Sequence, residues 1–264
     1  MRMIAVNGVA LHVEDSGEPH LPALAFCNSL GTDLRSWDAV AGQLRGRVRI
    51  IRHDARGHGL SECPAGPYAI ADLVDDLSAL LGHLGVERCV PVGLSVGGLV
   101  AQGFAARHPE KVPALVLSNT AARIGTAETW QERIRLIEAG GIEAIAEPIL
   151  ERWFSAAFRG AEPVALAGWR AMLTRTPRQG YLATCAALAA ADLTHSTSQL
   201  PMPTLVIAGS EDGATPPALV EATARLIRDA RYTLIEGAGH LPCIETPDAF
   251  CAALDAFLEE TAVV

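Results

Sequence analysis

Between the apolar run Cys89 to Val92 and the apolar run Leu99 to Ala106 stands Gly93-Leu94-Ser95-Val96-Gly97-Gly98. No other stretch restricts the chain as tightly. A strand that turns within a few residues into a helix brings two backbones close together, and flanking glycines allow this without Cβ collisions. The residue in the middle is pushed outward. A serine hydroxyl is a poor nucleophile in water, and it becomes useful on such a turn, beside unspent backbone N–H groups and a base. The N–H of Val96 would then face the oxygen of a substrate bonded to Ser95. Gly-x-Ser-x-Gly alone is a modest signal in 264 residues with 24 glycines. The strand before it and the helix after it give it weight.

The remaining chain reads as alternating strands and helices. Met3 to Val6 and Ala10 to Val13 form a hairpin across Asn7-Gly8, a dipeptide suited to a two-residue turn with φ > 0. Leu21 to Cys27, Arg47 to Arg52, Cys89 to Val92, Ala114 to Leu117, Thr204 to Ala208 and Tyr232 to Ile235 are the further strands. Tyr68 to Leu84 carries Ile70, Leu73, Val74, Leu77, Leu80, Leu81 and Leu84 on one helical stripe. From 121 to 200 the alternation lapses into consecutive helices: Thr126 to Ala139, Ile142 to Phe154, Pro163 to Leu173 and Gln179 to Ala191. A helical insertion between strands of a parallel sheet becomes a lid. The expected organisation is therefore a core of residues 1–120 and 201–264 with a cap of residues 121–200. Thr215-Pro216 is read as cap and first turn of a helix to Arg228, and Thr246-Pro247 as the start of the last helix.

Composition removes several classes of function. Half of the residues are hydrophobic, enough for a large core, and the net charge is -9. Nucleic acid and anionic membrane surfaces select basic faces, so neither is expected as a partner. Lys111 is the only lysine, which makes Schiff-base chemistry improbable. The six cysteines lack C-x-x-C spacing and suit reduced thiols in a cytoplasm better than a disulfide frame or zinc site. No leader pattern and no run of about 18 apolar residues occurs. With no phosphate loop, zinc signature or dinucleotide fingerprint, no cofactor is expected.

Parallel strands present their C-terminal ends on one edge of the sheet, where ligands bind in open α/β folds. Asn28, Asp54, Ser95, Asn119, Asp212 and His240 all lie just beyond such ends. A serine nucleophile needs a base to take its proton and a carboxylate to hold that base in one tautomer. His240, in a Gly-x-Gly-His turn after the last strand, is the best base. His12 lies inside the early hairpin, His83 and His108 sit near helix ends, and His58 belongs to a polar loop. Asp212 is preferred to Asp54 as the acid because the order Ser95, Asp212, His240 suits a triad on such a sheet. Asp54 is read as tying down Arg56-Gly57-His58-Gly59. The oxyanion of the tetrahedral intermediate would find the N–H of Val96 and, from the loop after the third strand, that of Leu30.

With Gly93-x-Ser95-x-Gly97, Asp54-x-Arg56-Gly57-x-Gly59, Gly209-x-x-Asp212 and Gly239-His240, the whole chain resembles the α/β-hydrolase superfamily. That likeness implies a mostly parallel eight-stranded sheet with helices on both faces and an inserted helical lid. Finer stretches resemble the 3-oxoadipate enol-lactonase family of aromatic catabolism: Asn28-Ser-Leu-Gly-Thr-Asp-Leu-Arg-Ser-Trp-Asp38, Leu117-Ser-Asn-Thr-Ala-Ala-Arg-Ile-Gly-Thr-Ala-Glu-Thr-Trp130 and Arg152-Trp-Phe-Ser-Ala-Ala-Phe158. Asn28-Ser29 replaces the His-Gly usual in the superfamily and agrees with the lactonase pattern. The resemblance implies hydrolysis of a small anionic lactone by Ser95, Asp212 and His240. Residues 121–200 hold eight arginines against eight acids, so the rest of the chain carries all of the -9. A neutral lid over an acidic body is a seat for the substrate carboxylate, with Trp130, Arg133 and Trp153 as candidate contacts. A carboxylesterase or C–C bond hydrolase on the same triad, and a ligand receptor that retains it, are the alternatives.

Overall fold

The computed structural model describes residues 2–263. Strands β1 (Arg2–Val6), β2 (Val9–Ser16), β3 (Ala23–Cys27), β4 (Arg49–His53), β5 (Val90–Leu94), β6 (Leu115–Ser118), β7 (Thr204–Gly209) and β8 (Arg231–Ile235) form one sheet in the order β1-β2-β4-β3-β5-β6-β7-β8. Asn7 and Gly8 both adopt positive φ, and the two-residue turn pairs Val6 with Val9. β1, β2 and β4 run antiparallel, and every pairing from β4 to β8 is parallel. β3 to β7 are buried at every position, as strands covered on both faces must be, whereas the edge strands β1 and β8 bury only Ile4 and Ile235.

Helices α1 (Asp38–Leu44), α2 (Ile70–His83) and α3 (Val96–Arg107) make the first crossovers. The expected stripe of α2 is buried from Ile70 to Leu81. The helix starts at Ile70, with its apolar stripe, and not at Tyr68 as expected, because the Asp72 carboxylate accepts the Ala69 N–H at 2.8 Å, and it ends before Gly85, whose φ is +66°. Asp76 is buried on the same face, where Arg56 and Asn7 pair with it at 2.6 and 2.9 Å.

Between β6 and β7 lie α4 (Ala127–Gly140), α5 (Ala146–Trp153), α6 (Ala156–Ala161), α7 (Pro163–Thr174), α8 (Arg178–Ala190) and α9 (Thr194–Thr197). The helix expected over 142–154 is broken into a 3-10 turn at Ile142–Ile145 and then α5. Pro148 explains the break: its ring has no N–H and clashes with the carbonyl four residues back, so it fits only the first turn of a new helix. α4 packs on α8, and α5 on α7. This group rests on loops of the sheet at several points. A Cβ on Gly180 would lie 2.2 Å from the Gly57 carbonyl oxygen, and Tyr68 N–H donates to the Ala183 carbonyl at 3.3 Å.

α10 (Pro217–Ala224), α11 (Pro242–Glu245) and α12 (Pro247–Glu260) complete the chain, with α1 packed on α12 and α2 on α3. α10 begins one residue later than expected, with Pro217 in its first turn, because Thr215 is drawn into bonds with Asp212. It also stops short of Arg228: past Ala224 the chain tightens into i to i+3 bonds before Asp229 at φ 55°. Register aligns Leu94 with Ser118, Ser118 with Ile207, and Gly209 with Ile235. The loops carrying Ser95, Asn119, Asp212 and His240 thus leave one edge side by side.

Candidate active site

Ser95 sits at φ 57° and ψ -119°, left-handed backbone that a residue with a Cβ rarely adopts. A Cβ on Gly93 would lie 2.3 Å from the Gly97 carbonyl oxygen, and one on Gly97 would lie 2.2 Å from that of Cys27. Only glycine permits β5, α3 and β3 to meet so closely. The strained turn is tied down by Ser95 N–H to the Ser118 carbonyl at 3.1 Å and by Thr120 Oγ1 to the Ser95 carbonyl at 2.6 Å.

Asp212 and His240 come together from the loops after β7 and β8. His240 Nδ1 lies 2.9 Å from Asp212 Oδ2, and both side chains are almost fully buried. That carboxylate also accepts from Asn119 Nδ2 at 2.8 Å, Thr215 Oγ1 at 2.7 Å and the N–H groups of Ala214 and Thr215 at 2.7 and 2.9 Å. Burial pushes the Asp212 carboxyl up, yet the His240 charge and the bonds from His240, Asn119 and Thr215 together hold it below the usual carboxylate range. Nδ1 of His240 is thus engaged, which leaves Nε2 for the cavity that Ser95 also lines. Glu245 fixes the histidine loop from behind, accepting the Gly239 and Ser155 N–H groups at 2.9 and 3.0 Å, while His240 N–H donates to the Trp153 carbonyl at 2.8 Å.

The shared cavity measures about 240 Å³. Leu30, Trp130, Arg133 and Trp153 line it, as do Ser29, Arg152 and Tyr181. The Leu30 and Val96 N–H groups have no acceptor among the described residues. The two residues differ in place: Leu30 lines this cavity, whereas Val96 lines a neighbouring crevice with Cys27, Asn28 and His58. Trp130 donates its Nε1–H to the Ile124 carbonyl at 2.6 Å, and the Arg133 guanidinium lies 4.7 Å from its ring centre. Sequence reasoning named none of Arg152, Asn119, Thr215 and Glu245 as a catalytic or substrate-binding residue, reading Thr215 only as a helix cap. Asn119 carried a signal in its position beyond a strand end. Arg152 opened one of the lactonase-like stretches, but its exposed place on a helix gave no sign of the cavity it lines.

The other candidates lie elsewhere. Asp54 accepts the Leu34 and Leu60 N–H groups at 2.8 Å each and His12 Nδ1 at 2.8 Å, so it ties loops together, and with His12 it lines a separate cleft of about 560 Å³. His58 is buried with Nδ1 3.2 Å from the Arg56 carbonyl, and burial lowers its pKa, favouring the neutral ring. Among the described residues no three His, Cys, Asp or Glu side chains converge as metal ligands would, and no helix is long and apolar enough to cross a membrane.

An outward-turned serine at a strand-to-helix junction, on a mostly parallel eight-stranded sheet, defines the class: residues 22–247 match the family described as alpha/beta hydrolase fold, and the chain belongs to it. Within that family its similarity extends over the full length to enol-lactonases. It is 35% identical over 256 residues to 3-oxoadipate enol-lactonase 2 of Acinetobacter baylyi, covering 97% of this chain and 96% of that protein. To 3-oxoadipate enol-lactonase 1 of the same organism it is 32% identical, with 96% and 94% covered. The crystal structure of the enol-lactonase from Burkholderia xenovorans superposes with a TM-score of 0.94 at 40% identity, covering 98% of this chain and all of that one.

Proposed function

We propose that the protein is a carboxylic ester hydrolase that opens 3-oxoadipate enol-lactone to 3-oxoadipate in aromatic catabolism. Full-length likeness to enol-lactonases supports this reading, and one observation of the site carries it furthest. Arg133, with no acid partner among the described residues, stands over Trp130 in the cavity shared by Ser95 and His240. A cation beside a nucleophile selects a substrate that carries its own negative charge.

In this reading Ser95 Oγ attacks the lactone carbonyl while His240 Nε2 takes its proton, and Asp212 holds the imidazole in the tautomer with Nδ1–H. The N–H groups of Leu30 and Val96 receive the oxyanion. Collapse breaks the ring C–O bond and expels an enolate, which ketonises while still tethered to the acyl group. A water activated by His240 then releases the second carboxylate. No step calls for a cofactor. Residues 121–200 act as the lid over a core of 1–120 and 201–264, with Trp130, Arg133 and Trp153 as substrate contacts. The enzyme works in the cytoplasm, where its six free cysteines, five of them buried, stay reduced. The test is turnover of the enol-lactone by the purified protein with a Ser95→Ala control. Turnover of simple aryl esters but not of the lactone would replace the substrate, and release that stops near one equivalent would make the protein a receptor.

A further inference from the structure

The cavity holds a second cation that the lactone alone does not require. Arg152, at the end of α5, donates Nε–H to the Gly213 carbonyl at 2.9 Å, while Gly213 N–H returns to the Arg152 carbonyl at 3.3 Å. Gly213 follows Asp212 directly, so this clamp fixes Arg152 on the acid's side of the cavity. Arg133 comes from another wall, on α4, stacked over Trp130. Neither guanidinium has a carboxylate partner among the described residues, whereas Arg123, Arg135 and Arg170 of the same helical group pair with Asp192, Glu132 and Glu147. Burial and the charge of Arg133 pull Arg152 below its ordinary range. Arg133 is half-buried and Arg152 exposed at the cavity mouth, so both present positive charge to one cavity of about 240 Å³, where an anion can meet them together.

We propose that Arg133 and Arg152 form a two-point site for a short dicarboxylate, so that the pocket takes the ring-opened product class as a ligand in its own right. The inference rests on the lactonase reading for its substrate and on the two arginines for its geometry. Each turnover adds one water, breaks the ring C–O bond and liberates one proton. A monoanion therefore enters and a dianion leaves. Arg133 is matched to the carboxylate present from the start, and Arg152, nearer the acid, to the one that forms at the carbon released from Ser95. Product thus binds at two points where substrate binds at one, and dicarboxylates act as competitive inhibitors.

The experiment is calorimetric titration of the wild-type protein, R133Q and R152Q with adipate and with hexanoate, a monocarboxylate of the same length. Wild type is expected to prefer adipate by about tenfold or more, the worth of one further charge-assisted contact. R152Q brings the ratio near unity while hexanoate affinity stays, and R133Q weakens both ligands. A lack of preference in wild type, or equal weakening of both ligands by R152Q, overturns the proposal, the latter meaning that both arginines grip one carboxylate. Because Arg152 also holds Gly213, R152K is the second variant: it keeps the charge without the planar fork and retains the preference. Enol-lactone turnover is measured separately. Its absence beside an intact adipate preference removes the substrate reading only, and its presence without that preference removes this inference only.

Discussion

Asn119→Gly isolates the acid's supports from the acid itself. Asn119 sits at φ 47°, so glycine keeps the backbone without strain and removes only the amide. That amide donates to buried Asp212 Oδ2 at 2.8 Å and to the Gly239 carbonyl at 3.2 Å. The first bond reaches a charge in a water-free place and is worth about 1.5–3 kcal/mol, and the second, longer and neutral, about 0.5–1.5 kcal/mol. Relief of the positive φ offsets part of this, leaving a net loss of about 2–3 kcal/mol near neutral pH. The sign of its pH dependence follows from the direction of the Asp212 shift. A carboxyl held below its ordinary range stabilises the fold at pH above that range, and the contribution disappears as pH falls through the lowered value. The stability gap between wild type and N119G is thus full above about pH 4 and shrinks below it to about 1 kcal/mol or less, what the neutral Gly239 and Ser118 bonds leave after the relief of the positive φ. Urea unfolding at a series of pH values measures the gap, and steady-state kinetics should show kcat down about tenfold with KM little changed. A gap that stays constant from neutral to acid pH refutes the assignment of Asn119 to the ionised carboxylate.

Three further substitutions probe other parts of the account. Ser95→Ala should lower kcat by at least about 10⁴-fold while leaving the fold intact by circular dichroism. Arg133→Gln should raise KM for the enol-lactone by about 10-fold or more with a smaller change in kcat, and an unchanged KM would remove Arg133 from the substrate site. Gly180→Ala places a methyl group where only 2.2 Å separates it from the Gly57 carbonyl oxygen, so α8 must move off the loop after β4. Loss of about 1–3 kcal/mol in denaturant unfolding, with KM affected more than kcat, is the expected result.

What was legible in the sequence is what short stretches fix by themselves. Gly93 to Gly98 announced its turn because steric demands at Gly93 and Gly97 are local, and the β1–β2 hairpin followed from Asn7-Gly8 in the same way. Asp212 and His240 were legible because a strand end and a glycine-bounded turn mark them. The supports of the site were not. Thr215 bonds Asp212 within one loop whose shape its sequence does not announce, while Asn119, marked only by its place beyond a strand end, and Glu245 matter because the fold brings separate loops together. Arg152 belongs to the same class, since its partner Gly213 is far along the chain. The helix pattern over 142–154 overran Pro148, where apolar spacing and proline stereochemistry conflict and stereochemistry wins. α6 escaped because one Ser155-capped turn and a half is too short to show a period.

The central claim is that Ser95 becomes covalently attached to the substrate's acyl group. Mixing the protein with enol-lactone, quenching in acid within the first turnovers and mapping the digested chain by mass spectrometry tests it most directly. The account predicts an ester of the ring-opened acyl group on the peptide containing Ser95, absent from Ser95→Ala. Steady product formation with that peptide unmodified at every quench time, and continued turnover by Ser95→Ala, would contradict it.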